Sequence, residues 1–274
     1  MKLGISTIIT DDGIRPDVLA KALEERGFDS LVVAEHSHVP SSRATPYPAG
    51  GELPHEYYRV YDPFVAVTAA AVATSELLVG TGVLLLAQRD TIQTAKEVAS
   101  ADHIADGRVL LGLGLGWNLE EIADHGIDPA TRGKLLDEKL AAMKELWSKE
   151  EAEFHGDYVG FDLTFCWPKP VQKPHPPVFF GGSTAAAVSR ARRHQAGWTP
   201  MAVPLERVPA QMSLLDGATD IPVDVVVPED VTPAVLDAYR HHGVERASIL
   251  LCTRPESETL KLLDSIAPLI DMYR

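Results

Sequence analysis

The stretch that decides the fold is Leu77-Leu78-Val79-Gly80-Thr81-Gly82-Val83-Leu84-Leu85-Leu86-Ala87-Gln88-Arg89-Asp90. Its apolar run is nearly continuous rather than alternating, the pattern of a strand buried on both faces of a parallel sheet. The glycines inside it mark a bulge or a close approach to a ligand, and barrel packing explains them equally well. Similar runs recur at 2–6, 30–34, 108–115, 178–181, 197–200, 222–227 and 247–252, which with 77–86 makes eight. Between them lie segments of helical period: 16–26, 62–74, 91–104, 118–124 with 131–149, 184–194, 205–215, 233–242 and 257–270. Strands and helices that alternate in this way over 274 residues predict an α/β protein, a (β/α)8 TIM barrel formed as one domain over 1–274. A doubly wound parallel sheet is the alternative.

Local signals agree with this reading. Pro16 and Pro233 sit where a first helical turn tolerates a missing N–H. Asp90 with Gln93, and Asn118 with Glu121, have capping-box spacing. Gly27 and Gly243 follow their helices as C′ residues do. Leu136, Leu140, Met143 and Trp147 give the longest helix one apolar face. Two insertions interrupt the alternation, one after strand two and one after strand four. Residues 36–61, rich in Pro, Gly, Ser and Tyr, are expected to form a lid; residues 153–167 read as two short strands around Gly156 and Gly160 that brace a helix against strand five.

Composition narrows the function. With 39 acidic against 25 basic side chains the net charge is −14, which repels nucleic acid. The one basic cluster, Arg190, Arg192, Arg193 and His194, reads as a solvated helix face. No stretch approaches the roughly 20 apolar residues of a membrane span, and the expected location is the cytoplasm. Cys166 and Cys252 fit that compartment without a disulfide framework.

Barrel sites lie at the C-terminal ends of strands, so those positions come first. Strand two ends in Ala34-Glu35-His36-Ser37-His38. His36-x-His38 has the spacing of paired metal ligands, but no further ligand set follows at later strand ends, and a His–Glu pair that handles protons or binds a cofactor is the preferred reading. Strand four ends in Gly112-Leu113-Gly114-Leu115-Gly116-Trp117-Asn118, whose spacing departs from the dinucleotide fingerprint but suits a strand passing beneath a flat ring. Glu121 is either an acid for catalysis or a partner in the cap of Asn118. Strand five ends in Gly181-Gly182-Ser183-Thr184 before a helix, where exposed N–H groups favour phosphate; Ser183 as a plain N-cap is the other reading. Cys252 reads as a buried small hydrophobe.

Taken together, Gly80-Thr81-Gly82-Val83-Leu84-Leu85-Leu86-x-Gln88-Arg89-Asp90, Asp106-Gly107-Arg108-Val109, Gly112-x-Gly114-x-Gly116-Trp117-Asn118-x-Glu120-Glu121, Pro168-Lys169-Pro170-Val171-Gln172 and Gly197-Trp198-x-Pro200 resemble the F420-dependent branch of the luciferase-like monooxygenase superfamily. The resemblance covers about residues 1–200. It implies a bacterial-luciferase-like barrel, commonly a homodimer, with coenzyme F420 across the strand ends. Glu35-His36 match the acid–His pair that contacts the deazaflavin, although the usual acid is Asp. Gly82-Val83 match a non-prolyl cis peptide behind the ring. The phosphate-bearing tail is expected past Gly116, Trp117 and Asn118 toward Gly181, Gly182 and Ser183. The usual Asp before Gly-Trp is Ala196 here. His36 is then the proton-handling group, oriented by Glu35 unless Glu35 bonds the cofactor itself, and Trp117 and Trp198 are expected near the ring or tail. His38, His55, Tyr57, Tyr58 and Arg59 on the long loop are expected to close over a small organic substrate, whose identity nothing in the loop names. The rival readings are an FMN-dependent monooxygenase fed by a reductase and O2, a metal-dependent hydrolase built on His36-x-His38, and an inactive F420-binding barrel.

Overall fold

The computed structural model describes residues 1–218 and 220–274. The chain opens with β1 (Lys2–Thr7), α1 (Pro16–Glu25), β2 (Ser30–Val33), α2 (Pro63–Val72), β3 (Leu78–Leu84), α3 (Thr91–Ile104) and β4 (Val109–Leu113). The middle holds α4 (Leu119–Asp124), α5 (Arg132–Ser148), β5 (Glu151–His155), β6 (Gly160–Phe165), β7 (Val178–Gly181), α6 (Ala185–His194) and β8 (Gly197–Thr199). It ends with α7 (Val208–Met212), β9 (Asp224–Pro228), α8 (Pro233–His241), β10 (Arg246–Leu251), α9 (Glu256–Ile266) and α10 (Pro268–Tyr273).

Eight strands form one parallel sheet in the order β8-β7-β4-β3-β2-β1-β10-β9. Its two ends approach each other through parallel bridges of Trp198 with Val223 and Met201 with Val226, which leaves a nearly closed barrel. The remaining strands, β5 and β6, pair as an antiparallel hairpin outside the ring. Ile5, Leu31, Val79, Leu111 and Ile249 are fully buried, as the continuous apolar runs require. On α5, Leu136, Leu140, Met143 and Trp147 all face the core, each worth about 1.5–3 kcal/mol of burial. The indole N–H of Trp147 ties this helix to α3 by donating to Ala95 O at 2.9 Å. Among the described residues, no helix is long and apolar enough to cross a membrane.

Several expected boundaries move, each for a local reason. β3 stops at Leu84, two residues early, because Leu85 N donates to Glu35 Oε2 at 2.5 Å and the chain then winds into a short 3-10 turn. The single helix expected over 205–215 is three pieces, since Pro209 has no N–H to bond back to Leu205 and the flanking turns close as 3-10 helix. Pro268 divides the last helix into α9 and α10 for the same reason.

Candidate active site

β2 delivers Glu35 and His36 to the C-terminal mouth of the barrel, and both side chains are buried. Two strands along the sheet, β4 runs out through Gly116, whose positive φ of 73° suits a residue without a Cβ, into Asn118 at the N-cap of α4. Asn118 Oδ1 accepts from Glu121 N at 3.4 Å. The Glu121 side chain is thereby aimed inward, where its Oε2 stands 2.6 Å from His36 Nδ1. Its other oxygen accepts from Ser37 N at 2.9 Å, Ser37 Oγ at 3.2 Å and Gln88 Nε2 at 3.1 Å. Burial pushes the Glu121 carboxyl up, but the His36 hydrogen bond and charge outweigh it, with help from Gln88 and Ser37, and hold it below the ordinary carboxylate range. An ionised Glu121 can only accept, so His36 donates from Nδ1, and in the neutral ring Nε2 keeps the lone pair. That nitrogen faces the Trp117 indole N–H at 3.3 Å.

Aromatic rings wall the mouth. Tyr57 and Trp117 lie with ring centroids 5.2 and 5.7 Å from His36, and Tyr47 packs edge-on against both. Burial raises the Tyr57 phenol above its ordinary range. The 36–61 loop is tied down at several points. Glu120 Oε1 accepts from Ala44 N and Thr45 N at 2.9 and 3.0 Å, and bonds from this loop, Thr45 first, pull its carboxyl down to about 2. Arg59 grips Asp11 through two hydrogen bonds, and Tyr61 N donates to Ile9 O at 2.9 Å.

Not every expected site residue lands as expected. Glu35 does not orient His36: its oxygens accept from Leu85 N and, at 2.6 Å, from Arg89 Nε, and Arg89 also pairs with Asp62 and Glu97. The half-buried Arg89 guanidinium on the next strand end engages the Glu35 carboxylate, and Glu121 takes the orienting place. Burial nonetheless raises the Glu35 carboxyl, against the opposing pull of Arg89. The Gly82–Val83 peptide is cis, beside a register shift between Thr81 and Leu84. A Cβ on Gly114 would fall 2.2 Å from Val83 Cγ2, and one on Gly181 3.0 Å from Val83 Cγ1, so Val83 packs against glycines at the ends of two other strands, β4 and β7. Gly182 and Ser183 are exposed at the start of α6, but the N-cap is Thr184, whose hydroxyl accepts from Ala187 N, and not Ser183.

Of the loop residues, Tyr57 joins the site. Tyr58 is 59% exposed and outside the aromatic cluster, because the adjacent residue of a 3-10 turn points elsewhere. Arg59 is occupied by Asp11 and Asp12, and His55 also bonds Asp12. His38 is exposed and bonds Asp124 at 3.1 Å, so it diverges from His36. Among the described residues no group of three His, Cys, Asp or Glu side chains converges to hold a metal ion. Cys252 is exposed rather than buried, since β10 ends one residue before it; Cys166 is buried, and both are free thiols. Trp198 is fully buried, and its indole donates at 2.6 Å to the backbone oxygen of Gly182, in the turn that leads into α6. Arg190, Arg193 and His194 converge on Asp137 of α5, so the basic cluster is an inter-helix ion pair.

Sequence reading left Gln88, Tyr47 and Ser37 without roles and Glu121 undecided between two. Capping spacing gave a sufficient account of Glu121, and no local signal connects it to a histidine 85 residues away. A cavity of about 480 Å³ is lined by Met1, Phe28, Asp29 and Tyr273 at the strand beginnings, the opposite end from His36.

Comparison with known proteins agrees with this architecture. The uncharacterized protein Rv0953c of Mycobacterium tuberculosis is 40% identical over 212 residues, 75% of each chain. The solved monooxygenase RslO1 from Streptomyces bottropensis aligns over 100% of both chains with a TM-score of 0.80 at 21% identity. An F420-dependent secondary alcohol dehydrogenase, solved with an F420–acetone adduct, also aligns over 100% of both chains, with a TM-score of 0.77 at 16% identity. At such identities these likenesses speak for the fold, which is the barrel built above. The family itself is shown by a sequence model, that of the luciferase-like monooxygenases, which matches residues 18–228 from α1 through β9, and it is to this family that the chain belongs.

Proposed function

We propose that this protein is an F420-dependent oxidoreductase that moves a hydride between the deazaflavin and a small organic molecule, with His36 handling the accompanying proton. The observation that carries the reading is the His36–Glu121 pair, buried and 2.6 Å apart at the mouth of the barrel. Adding or removing a hydride at an oxygen-bearing carbon leaves a proton to be supplied or taken up, and imidazole does this near neutral pH. His36 Nε2, which faces the Trp117 indole N–H, takes a proton from substrate as it gives up that contact, while Glu121 stabilises the resulting imidazolium through Nδ1–H; the reverse reaction uses the same two groups. Tyr47, Tyr57 and Trp117 exclude water around them.

The residues at the mouth fit a flat, phosphate-bearing group. Gly114 and Gly181 leave room for Val83, and Gly82 for Val32, a close-packed cradle that added Cβ atoms would disrupt. Asn118 Nδ2 is buried without a partner, a donor ready for a ligand acceptor. Gly116 and Trp117 line the way from there, and Gly182 and Ser183 at the α6 N-terminus suit phosphate. When bound, F420 supplies the hydride chemistry, and the protein supplies position and proton control. Glu35, bonded to Arg89, shapes the turn after β3. The proposal includes assembly as a homodimer, which light scattering checks.

The likeness to the Streptomyces monooxygenase favours one second reading, an FMN-dependent monooxygenase that uses O2 and a partner reductase. Titration of the purified protein with F420 and, separately, FMN decides between them, with Trp117 beside His36 as the fluorescent reporter. Selective binding of F420 supports the proposal. Binding of FMN alone moves the protein to the second reading, and failure of both leaves neither standing.

A further inference from the structure

Glu121 is fully buried, yet one of its partners reaches solvent. The exposed Ser37 hydroxyl stands 3.2 Å from Glu121 Oε1, 2.9 Å from His38 Nδ1 and 2.8 Å from His125 Nε2. His38 Nε2 in turn lies 3.1 Å from Asp124 Oδ2, and the two exposed imidazoles are 5.6 Å apart between ring centroids. A serine hydroxyl has one proton to give and two lone pairs to receive. All three of its contacts are met at once when Ser37 donates to Glu121 and accepts from both imidazoles. The remaining donors to Glu121 Oε1, the Ser37 N–H and the Gln88 amide, have no labile proton to pass on at neutral pH. Ser37 Oγ is the contact through which this carboxylate can exchange a proton.

We propose that Ser37, His38 and His125 form a proton relay that connects the buried His36–Glu121 pair to solvent. Inward, an imidazolium N–H of His38 or His125 passes its proton to Ser37 Oγ as the Ser37 hydroxyl proton moves to Glu121 Oε1. The imidazolium becomes imidazole, the carboxylate becomes a carboxylic acid, and Ser37 is unchanged. Outward, His36 releases its Nδ1 proton to Glu121 Oε2, a half-turn of the carboxyl group carries that proton to the Ser37 side, and the same chain runs in reverse. No electrons change hands. The groups facing the two imidazoles are Asp124, Glu121, Arg89 and each other; partial burial and then the His38 charge hold His125 below the ordinary imidazole range, opposed by Glu121 and Asp124. His125 is therefore a ready carrier that returns to the neutral form after each transfer. The relay rests on His36 as the proton-handling group and is independent of which cofactor the chain binds.

The test needs no ligand. In protein labelled with ¹⁵N-histidine, exchange of the His36 Nδ1 proton with water is read by saturation transfer near neutral pH, its resonance assigned by loss in His36→Ala. Exchange is expected to slow at least about tenfold in Ser37→Ala, since the buried proton then waits on local opening. It should slow comparably in a His38→Gln/His125→Gln double variant, which leaves the Ser37–Glu121 contact in place at exposed positions. Ser37→Thr, which keeps a hydroxyl, should exchange near the wild-type rate. Unchanged exchange in the double variant overturns the relay. So does slowing in Ser37→Ala alone with a displaced His36 resonance, because that assigns Ser37 a structural role only. Failure of the F420 reading would show in the cofactor titration and leave these exchange rates untouched.

Discussion

Glu121 at the mouth of the barrel and Asp224 on its floor are both buried carboxylates, and their surroundings drive them to opposite states. Asp224, at the start of β9, has the Ser248 hydroxyl 2.9 and 3.1 Å from its two oxygens. Burial pushes its carboxyl up to about 7, and one hydroxyl does little to oppose that. Glu121 is as deeply buried, but it has an imidazole, an amide, a hydroxyl and a backbone N–H around it, and it is held below the ordinary range. Burial alone therefore leaves a carboxyl poised to be neutral, and converging donors are what keep one ionised. The mouth has such donors because loops from β2, β3 and β4 meet there. The floor, closed by regular strands, offers side chains alone. This difference supports the proposal that the mouth is the chemical end of the barrel.

The comparison breaks or sharpens most strongly at His36. His36→Ala is expected to lower kcat by about 10²- to 10⁴-fold while F420 binding persists, the usual worth of a positioned acid–base group. The measurement is kcat on a substrate found by screening with reduced F420; a wild-type kcat would move the proton chemistry elsewhere. The next effect is on the floor. Because the folded state holds the Asp224 proton more tightly than the unfolded chain does, stability falls as pH rises from about 4 toward about 7, by on the order of 3 kcal/mol. Asp224→Asn should flatten that decline in urea melts across the range. Glu121 contributes with the opposite sign: its share is present above the ordinary carboxylate pKa and lost as pH drops through its lowered value. If Asp224→Asn leaves the pH slope intact, the contrast between the two carboxylates fails.

A smaller effect belongs to the cradle. Gly114→Ala puts a Cβ against Val83 Cγ2, and the displaced valine should weaken F420 binding by about tenfold, within the 1–3 kcal/mol typical of overpacking. Isothermal titration reads it, and unaltered affinity would mean that Val83 does not border the ligand. The smallest effect is expected of Tyr57→Phe. Its hydroxyl meets Tyr47 at a long 3.4 Å, so the loss should be below about 1 kcal/mol in thermal melts. A larger drop would show that the loop depends on this contact rather than on Glu120 and Arg59.

The barrel was legible because its cause is local. Runs such as Val79 to Leu86 are too apolar to face water on either side, and glycine or proline punctuates them at the right intervals. Caps at Asp90 and Asn118 were read from spacing and are formed in the structure. The placement of Glu35 and His36 at a strand end followed from counting along the run. Pro209 and Pro268 were visible too, and their effect on the last helices follows from the missing N–H, although helical period alone had hidden it.

What the sequence by itself determined is the order of strands and helices, and with it the end of the barrel at which chemistry-bearing residues emerge. Only the tertiary structure decided their partners: Glu121 for His36, Arg89 for Glu35, Thr184 instead of Ser183 at the cap, and Ser37 between a buried carboxylate and two exposed imidazoles. The physical reason is that helix and strand signals act over a few residues, whereas side chains at strand ends choose partners by closeness across the ring. Closeness there is set when the sheet curls and its ends approach, and residues tens of positions apart come within hydrogen-bonding distance.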